Sequence, residues 1–421
     1  MNMKTAFFLR AYNDIDHIAP VIWKFIKKGE EAIVVFNTDI DYKNDYRIKF
    51  LLSEGKISIY NYIDHHYVKY EKRIGLYRFK NVVRFYKLFR NPKNIFGKVY
   101  RKLFFDCSRE IKFLKDHNIG KCVFEWGDPY FRGIVIEKFF KAAKGLNITT
   151  FCLPHGCNIY TNADVGKAYL DQIKYGAHPN QILRREYDYY IFQNPIRRDG
   201  YVKWGTDPIK TQAWGSARFC PEWQSINLSI CPGFILKKNY SNKYKIVFMD
   251  HQKGFGIEVE KIWSLIDKIV DNKKYFLIIK QSTRAGKDYH SRSFREKHSK
   301  RENVEFVGNE CHSPKLIEWS DCVINYGSSI GLEALIQNKP LINPQYLHNN
   351  NTLYEETGAC FSAINENEVI AILNKLFLDK KLDIESEHKK ILFQEIIYGG
   401  HSAHDVLESY YNKITAKKLN Y

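Results

Sequence analysis

Nowhere in these 421 residues is there an apolar run of about 18, so no membrane-spanning helix is expected. The opening MNMKTAFFLRAYND lacks the apolar core of a secretory leader, and a cytoplasmic chain is the expectation. The nine cysteines form no C-x-x-C pair and their count is odd. That spacing argues against a disulfide framework or a zinc site and for a reducing compartment. The loop after the first strand lacks G-x-G-x-x-G, which excludes the usual dinucleotide oxidoreductase fingerprint. Negative charge is also short: 47 Asp and Glu stand against 65 Lys and Arg, a formal balance of +18. Such a balance points to an anionic partner, whether nucleic acid, anionic lipid, or an acidic glycan or nucleotide. With no C2H2 pattern, no RNP-like aromatic motif and no basic tail, nucleic acid is the weakest of these.

What is present is an alternation of short apolar runs and helical patterns, long enough for two or three domains. Lys4–Arg10, Glu31–Asn37 and Ile57–Tyr60 read as strands. Asn13-Asp14 can cap a helix from Ile15 to Lys28. Lys121–Trp126, Thr149–Leu153, Tyr187–Gln193 and Thr211–Trp214 continue the strands of a first Rossmann-like domain, 1–218. Residues 219–242, with two prolines and little periodicity, read as a linker. A second Rossmann-like domain, 243–390, opens with Lys245–Met249. Residues 391–421 close the chain with helices.

In a doubly wound sheet, active groups gather at the carboxyl ends of strands. Two neighbouring strand ends here carry Glu125, Asp128 and His155, a carboxylate pair and a histidine suited to proton transfer. Each has a plainer alternative: ion pairing for Glu125, helix capping for Asp128, a loop hydrogen bond for His155. Residues 71–105 hold eleven Lys/Arg against one Glu, with nine Tyr/Phe interleaved. This is either an amphipathic surface with its aromatics in the core, or a face for anionic lipid or an anionic acceptor.

The most informative stretch is Ser320–Pro340, SDCVINYGSSIGLEALIQNKP. It reads as a buried strand, a Gly327-Ser328-Ser329 turn and a helix stopped at Pro340. Free amides and two hydroxyls at such a turn suit a phosphate, although one serine can simply cap the helix. Together with Phe306-Val307-Gly308-Asn309, Glu333-Ala334 and Lys339-Pro340, the stretch resembles the donor half of GT-B glycosyltransferases. The paired serines are most similar to bacterial sialyl-, polysialyl- and Kdo-type capsule transferases. The resemblance implies two Rossmann-like domains facing across a cleft, with a C-terminal helix packing back.

It also implies a glycosyltransferase acting without a metal or other cofactor. The donor would be a nucleotide-activated sugar, CMP-linked by preference with UDP or CDP as alternatives. The acceptor would be a capsule- or lipopolysaccharide-type glycan or lipid-linked glycan, reached from the inner face of an anionic membrane. Gly327, Ser328 and Ser329 would then hold phosphate, helped by Lys280 or His251. Glu333 would reach a ribose hydroxyl unless it simply faces solvent, and Asn309 would meet the base edge. Where that family has His-Pro after the domain's second strand, this chain has Lys280-Gln281-Ser282-Thr283: either Lys280 and Ser282 replace the histidine, or His251 does, or the donor is not a CMP-ulosonate. Two other classes stay open. One is a CDP-polyol phosphate transferase of teichoic-acid type, sharing His155-Gly156. The other is a non-catalytic nucleotide-sugar-binding scaffold at the membrane.

Overall fold

The computed structural model describes residues 3–37, 41–62, 106–127, 134–154, 156–157, 159–161, 186–203, 206–251, 256–281 and 290–416. Asp128, His155, Ser282 and the basic aromatic stretch 71–105 lie outside the described residues. The chain divides into two compact units, one built from Met1–Gly156, Asn180–Arg218 and Asp405–Tyr421, the other from Cys157–Pro179 and Phe219–His404.

The first unit holds a seven-stranded sheet of β1 (Lys4–Leu9), β2 (Ala32–Phe36), β3 (Ile57–Asn61), β4 (Ile119–Glu125), β5 (Thr149–Leu153), β6 (Tyr189–Phe192) and β7 (Thr211–Ala213). Their order is β3-β2-β1-β4-β5-β6-β7, and every pairing is parallel. Parallel strands are covered on both faces, which is why they read as continuous apolar runs. Ala6, Phe7, Phe8 and Leu9 are all fully buried. Helix α1 (Tyr12–Lys27) follows β1 and starts earlier than the Asn13-Asp14 cap implies. Asp14 lies inside its first turn, and its Oδ2 accepts the N–H groups of Arg10 and Ala11, each at 2.7 Å. The unit also contains α2 (Tyr46–Ser53), α3 (Ser108–Asp116), α4 (Ile134–Gly145) and α5 (Pro195–Lys203).

The second unit carries a six-stranded sheet: β8 (Tyr244–Met249), β9 (Tyr275–Lys280), β10 (Val304–Val307), β11 (Cys322–Asn325), β12 (Leu341–Pro344) and β13 (Phe361–Ala363). Its order, β10-β9-β8-β11-β12-β13, is again parallel throughout. Phe248, Leu277, Ile279 and Ile324 pack there on Ile262, Leu265 and Ile269 of a covering helix. The 219–242 segment is not the irregular linker its composition implies, because it folds first into α6 (Pro221–Ile230). Pro221 pre-sets the first helical turn, and the inward residues are Trp223, Gln224 and Asn227. Two of those three are polar, so the helix shows no apolar stripe in the sequence.

The remaining α-helices of this unit are α7 (Val259–Asp271), α8 (Arg292–Ser299), α9 (Ser313–Trp319), α10 (Gly331–Ile336), α11 (Leu353–Thr357), α12 (Glu366–Leu378) and α13 (Ser386–Lys390), the last running into a π-helical segment, Ile391–Ile397. The closing helix α14 (Asp405–Thr415) belongs to the first unit, where Glu408 pairs with Lys28 at 2.7 Å and with Lys24 at 3.3 Å. Among the described residues no helix is long and apolar enough to cross a membrane.

Candidate functional site

Both sheets reverse their strand order beside their first strand, between β1 and β4 in one unit and between β8 and β11 in the other. Ligands of open parallel sheets bind outside the carboxyl ends of the strands at such reversals. At the first reversal, Arg10 leaves β1 and Glu125 ends β4. The Arg10 Nε donates to Glu125 Oε1 at 3.1 Å, and the Glu125 side chain is 1% exposed. Glu125 is thus the one expected acid–base residue that is described, and it is already an ion-pair partner. His17, further along α1, meets Gln193 Nε2 through Nδ1 at 2.9 Å.

At the second reversal, the turn Gly327-Ser328-Ser329 leaves β11 and His251 follows β8. The turn's carbonyls are tied inward. Gly327 O accepts from the Tyr160 hydroxyl and lies 2.9 Å from His251 Nε2. Ser328 O accepts from Asn325 Nδ2 at 2.8 Å and from the Tyr354 hydroxyl at 2.9 Å. No described peptide bond is cis, so each tied carbonyl turns the next N–H, of Ser328 and then Ser329, the opposite way. Neither of those amides has an acceptor among the described residues. The helix α10 behind the turn has only six residues, so these loop amides, rather than a helix end, are the available anion donors. Capping is weak: among the described residues Ser328 Oγ meets only the Ile330 N–H, at 3.4 Å.

The other expected residues fall around this turn. Lys280 ends β9 in register with Met249 and Val307, and is 3% exposed. Its Nζ donates to Gln281 O at 3.1 Å. Burial pushes its amine down to about 8, against the pull of Glu310. Glu333 is buried at 1% exposure rather than facing solvent. Asn309 is exposed in the turn after β10, beside Glu310, whose Oε1 accepts the Gly308 N–H at 2.8 Å. His251 supports the turn's backbone through Gly327 O, a role its sequence position did not reveal.

Three groups escaped the sequence reading. Tyr160 lies in a polar stretch with no pattern. Its neighbours pair with a distant segment: Leu353 N donates to Ile159 O at 2.8 Å, and Thr161 N to Asn351 O at 3.1 Å. Asp250 Oδ1 accepts from the Tyr326 hydroxyl at 3.1 Å, while its Oδ2 meets His290 Nε2 at 2.9 Å. His348 is held neutral, its pKa pushed down to about 4 by burial and by His251. The Asn350 N–H donates to His348 Nδ1 at 3.2 Å, so Nε2 carries the proton, and that buried donor has no acceptor among the described residues.

No protein-family model matches this chain, and no curated protein sequence matches it. Solved structures do. Staphylococcus aureus MnaA with UDP is 14% identical over 98% of this chain and 96% of that one, at a TM-score of 0.56. The Neisseria meningitidis UDP-GlcNAc 2-epimerase bound to UDP-GlcNAc is 14% identical over 96% and 98%, at 0.55. Anabaena Alr3699/HepE with UDP and glucose is 12% identical over 98% of both chains, at 0.53. The chain has a GT-B-like fold. Its two parallel sheets are the two Rossmann-like sheets of that fold, and the likeness at these identities is one of fold.

Proposed function

We propose that this protein is an enzyme of nucleotide-activated sugars, and that it transfers the sugar to a capsule- or lipopolysaccharide-type glycan without a metal. The observation that carries this reading is the Gly327–Ser329 turn, with two unaccepted amides backed by tied carbonyls at a strand-order reversal. A nucleotide phosphate supplies the acceptors those amides lack, and donors fixed in advance stabilise the charge that develops as it leaves. Lys280 adds a cation at the neighbouring strand end. The GT-B-like fold supports the reading, since similar structures are described with UDP or UDP-GlcNAc bound. Those neighbours favour a UDP-linked donor, whereas the paired-serine resemblance favours a CMP-linked ulosonate. Glu125, with Asp128 and His155, remains the proposed proton-transfer set, with the Glu125 carboxylate held in place by Arg10.

The test is calorimetric titration with CMP, CDP, UDP and GDP. One nucleotide is expected to bind, and Ser328→Ala with Ser329→Ala to weaken it by about 1.5–3 kcal/mol per lost hydroxyl bond. Binding of none of the four sinks the reading. A second reading, epimerisation of a UDP-sugar, is favoured by the neighbours described as UDP-GlcNAc 2-epimerases. Incubation with UDP-GlcNAc in D2O and no acceptor separates the two. Deuterium entering the sugar at C2 supports the epimerase, and an unchanged sugar overturns it.

A further inference from the structure

The residue that sets the phosphate turn comes from the other half of the sequence. Tyr160 follows β5, a strand of the first unit, yet its own segment Cys157–Pro179 belongs to the second. There it forms an antiparallel bridge with Thr352, flanked by the Leu353-to-Ile159 and Asn351-to-Thr161 backbone bonds. This pairing carries a buried tyrosine to the carboxyl ends of β8 and β11. Its hydroxyl lies 3.1 Å from His251 Nε2 and donates to Gly327 O. Gly327 takes a φ of +71°, and a Cβ built on it would stand 2.6 Å from the Tyr160 hydroxyl. The glycine therefore allows both the turn's backbone conformation and the close approach of the tyrosine.

We propose that Tyr160 is the positioning residue of the nucleotide site, fixing the Gly327 carbonyl so that the Ser328 N–H is aimed at phosphate. This rests on the reading of the turn given above. The two amides are set by different groups. The Ser328 N–H depends on Tyr160 and His251 through Gly327 O, whereas the Ser329 N–H depends on Asn325 and Tyr354 through Ser328 O. Tyr160 acts through the peptide and touches no reacting atom. The buried Nε2–H of His348, without an acceptor among the described residues, stands in the same region, its ring 6.4 Å from that of Tyr160. A built polar site with an open donor is what a ligand oxygen would complete.

The experiment compares wild type with Tyr160→Phe in titrations with UDP and CMP, while following the Ser328 and Ser329 amide resonances. Tyr160→Met, which also lacks the hydroxyl, replaces the Phe variant if that one does not fold. The expected result is an affinity about tenfold weaker, of the size of one lost hydrogen bond. The nucleotide-induced downfield shift should be lost at Ser328 and kept at Ser329. A tyrosine that served only packing would lower the melting temperature and leave the Ser328 shift in place. If wild type binds neither nucleotide, the reading of the turn falls and this proposal with it. If wild type binds and the variant binds equally with the Ser328 shift intact, the proposal alone is overturned.

Discussion

Burying an ammonium group costs free energy, and Lys280 is 3% exposed at the end of β9. Its pKa of about 8 lies below the ordinary lysine value of 10.5. Between those two values the unfolded chain holds the proton and the folded chain does not, so stability rises with pH across that window. At pH 7 the folded protein carries the buried charge, at a cost of as much as roughly 3 kcal/mol. Glu310 eases this only in part. Lys280→Met should therefore raise the urea midpoint at pH 7, flatten the pH dependence between 8 and 10.5, and weaken nucleotide binding. That combination is the mark of a residue kept for function at the expense of stability. A variant that loses stability and keeps its affinity would instead assign Lys280 a packing role through Gln281. The sequence made Lys280 legible as a strand-end cation. Its burial was not legible, because that depends on the flanking strands β8 and β10, which place Met249 and Val307 on either side of it.

Among the elements, the strand–turn–helix at Ser320–Pro340 was the most legible. Cys322, Val323 and Ile324 form an apolar run that is fully buried, and the Gly-Ser-Ser turn and the helix follow it where the sequence puts them. The support of that turn was illegible, because Tyr160 and Tyr354 reach it only after residues 159–161 pair with 351–353. Helix α6 was missed for a different reason, its buried side holding Gln224 and Asn227 beside one tryptophan. The strand-end carboxylate Glu125 was legible, and its partner Arg10 was visible only as the last residue of the first strand. The glycine that opens α10, Gly331, gives a test at this scale. Alanine normally favours a helix over glycine by about 1 kcal/mol. At Gly331, however, a Cβ would meet the Tyr354 hydroxyl at 2.8 Å and Asn325 Nδ2 at 2.9 Å, the two donors that tie Ser328 O. Gly331→Ala should thus destabilise the protein by about 1–3 kcal/mol through overpacking and should weaken nucleotide binding as well. A rise in melting temperature would show that the turn has room to relax.

Over the whole molecule, neither unit is a continuous piece of sequence, and the first is completed by the last helix. Val406, Leu407 and Ile414 of α14 are fully buried, and Tyr410 is 1% exposed. The Tyr410 hydroxyl donates to Gly215 O at 2.9 Å, and its ring stands edge-on to Trp214 at 5.2 Å. The Tyr411 ring meets Phe25 of α1 at 5.2 Å, Lys28 and Lys24 hold Glu408, and Lys121 Nζ donates to Ala416 O at 2.7 Å. All of these partners belong to the first unit. Each fully buried apolar side chain contributes about 1.5–3 kcal/mol, so four of them amount to a large part of the stability of an ordinary domain. A chain ending at His404 should therefore lose amide protection in α1 and around Trp214. It should keep protection in β8, β9 and β11, whose core is built from Phe248, Leu277, Ile279, Ile324 and the α7 residues. Hydrogen exchange read peptide by peptide makes the comparison. Protection lost equally from both sheets would mean that α14 supports the second unit too, and protection unchanged in α1 would mean that its buried face adds little.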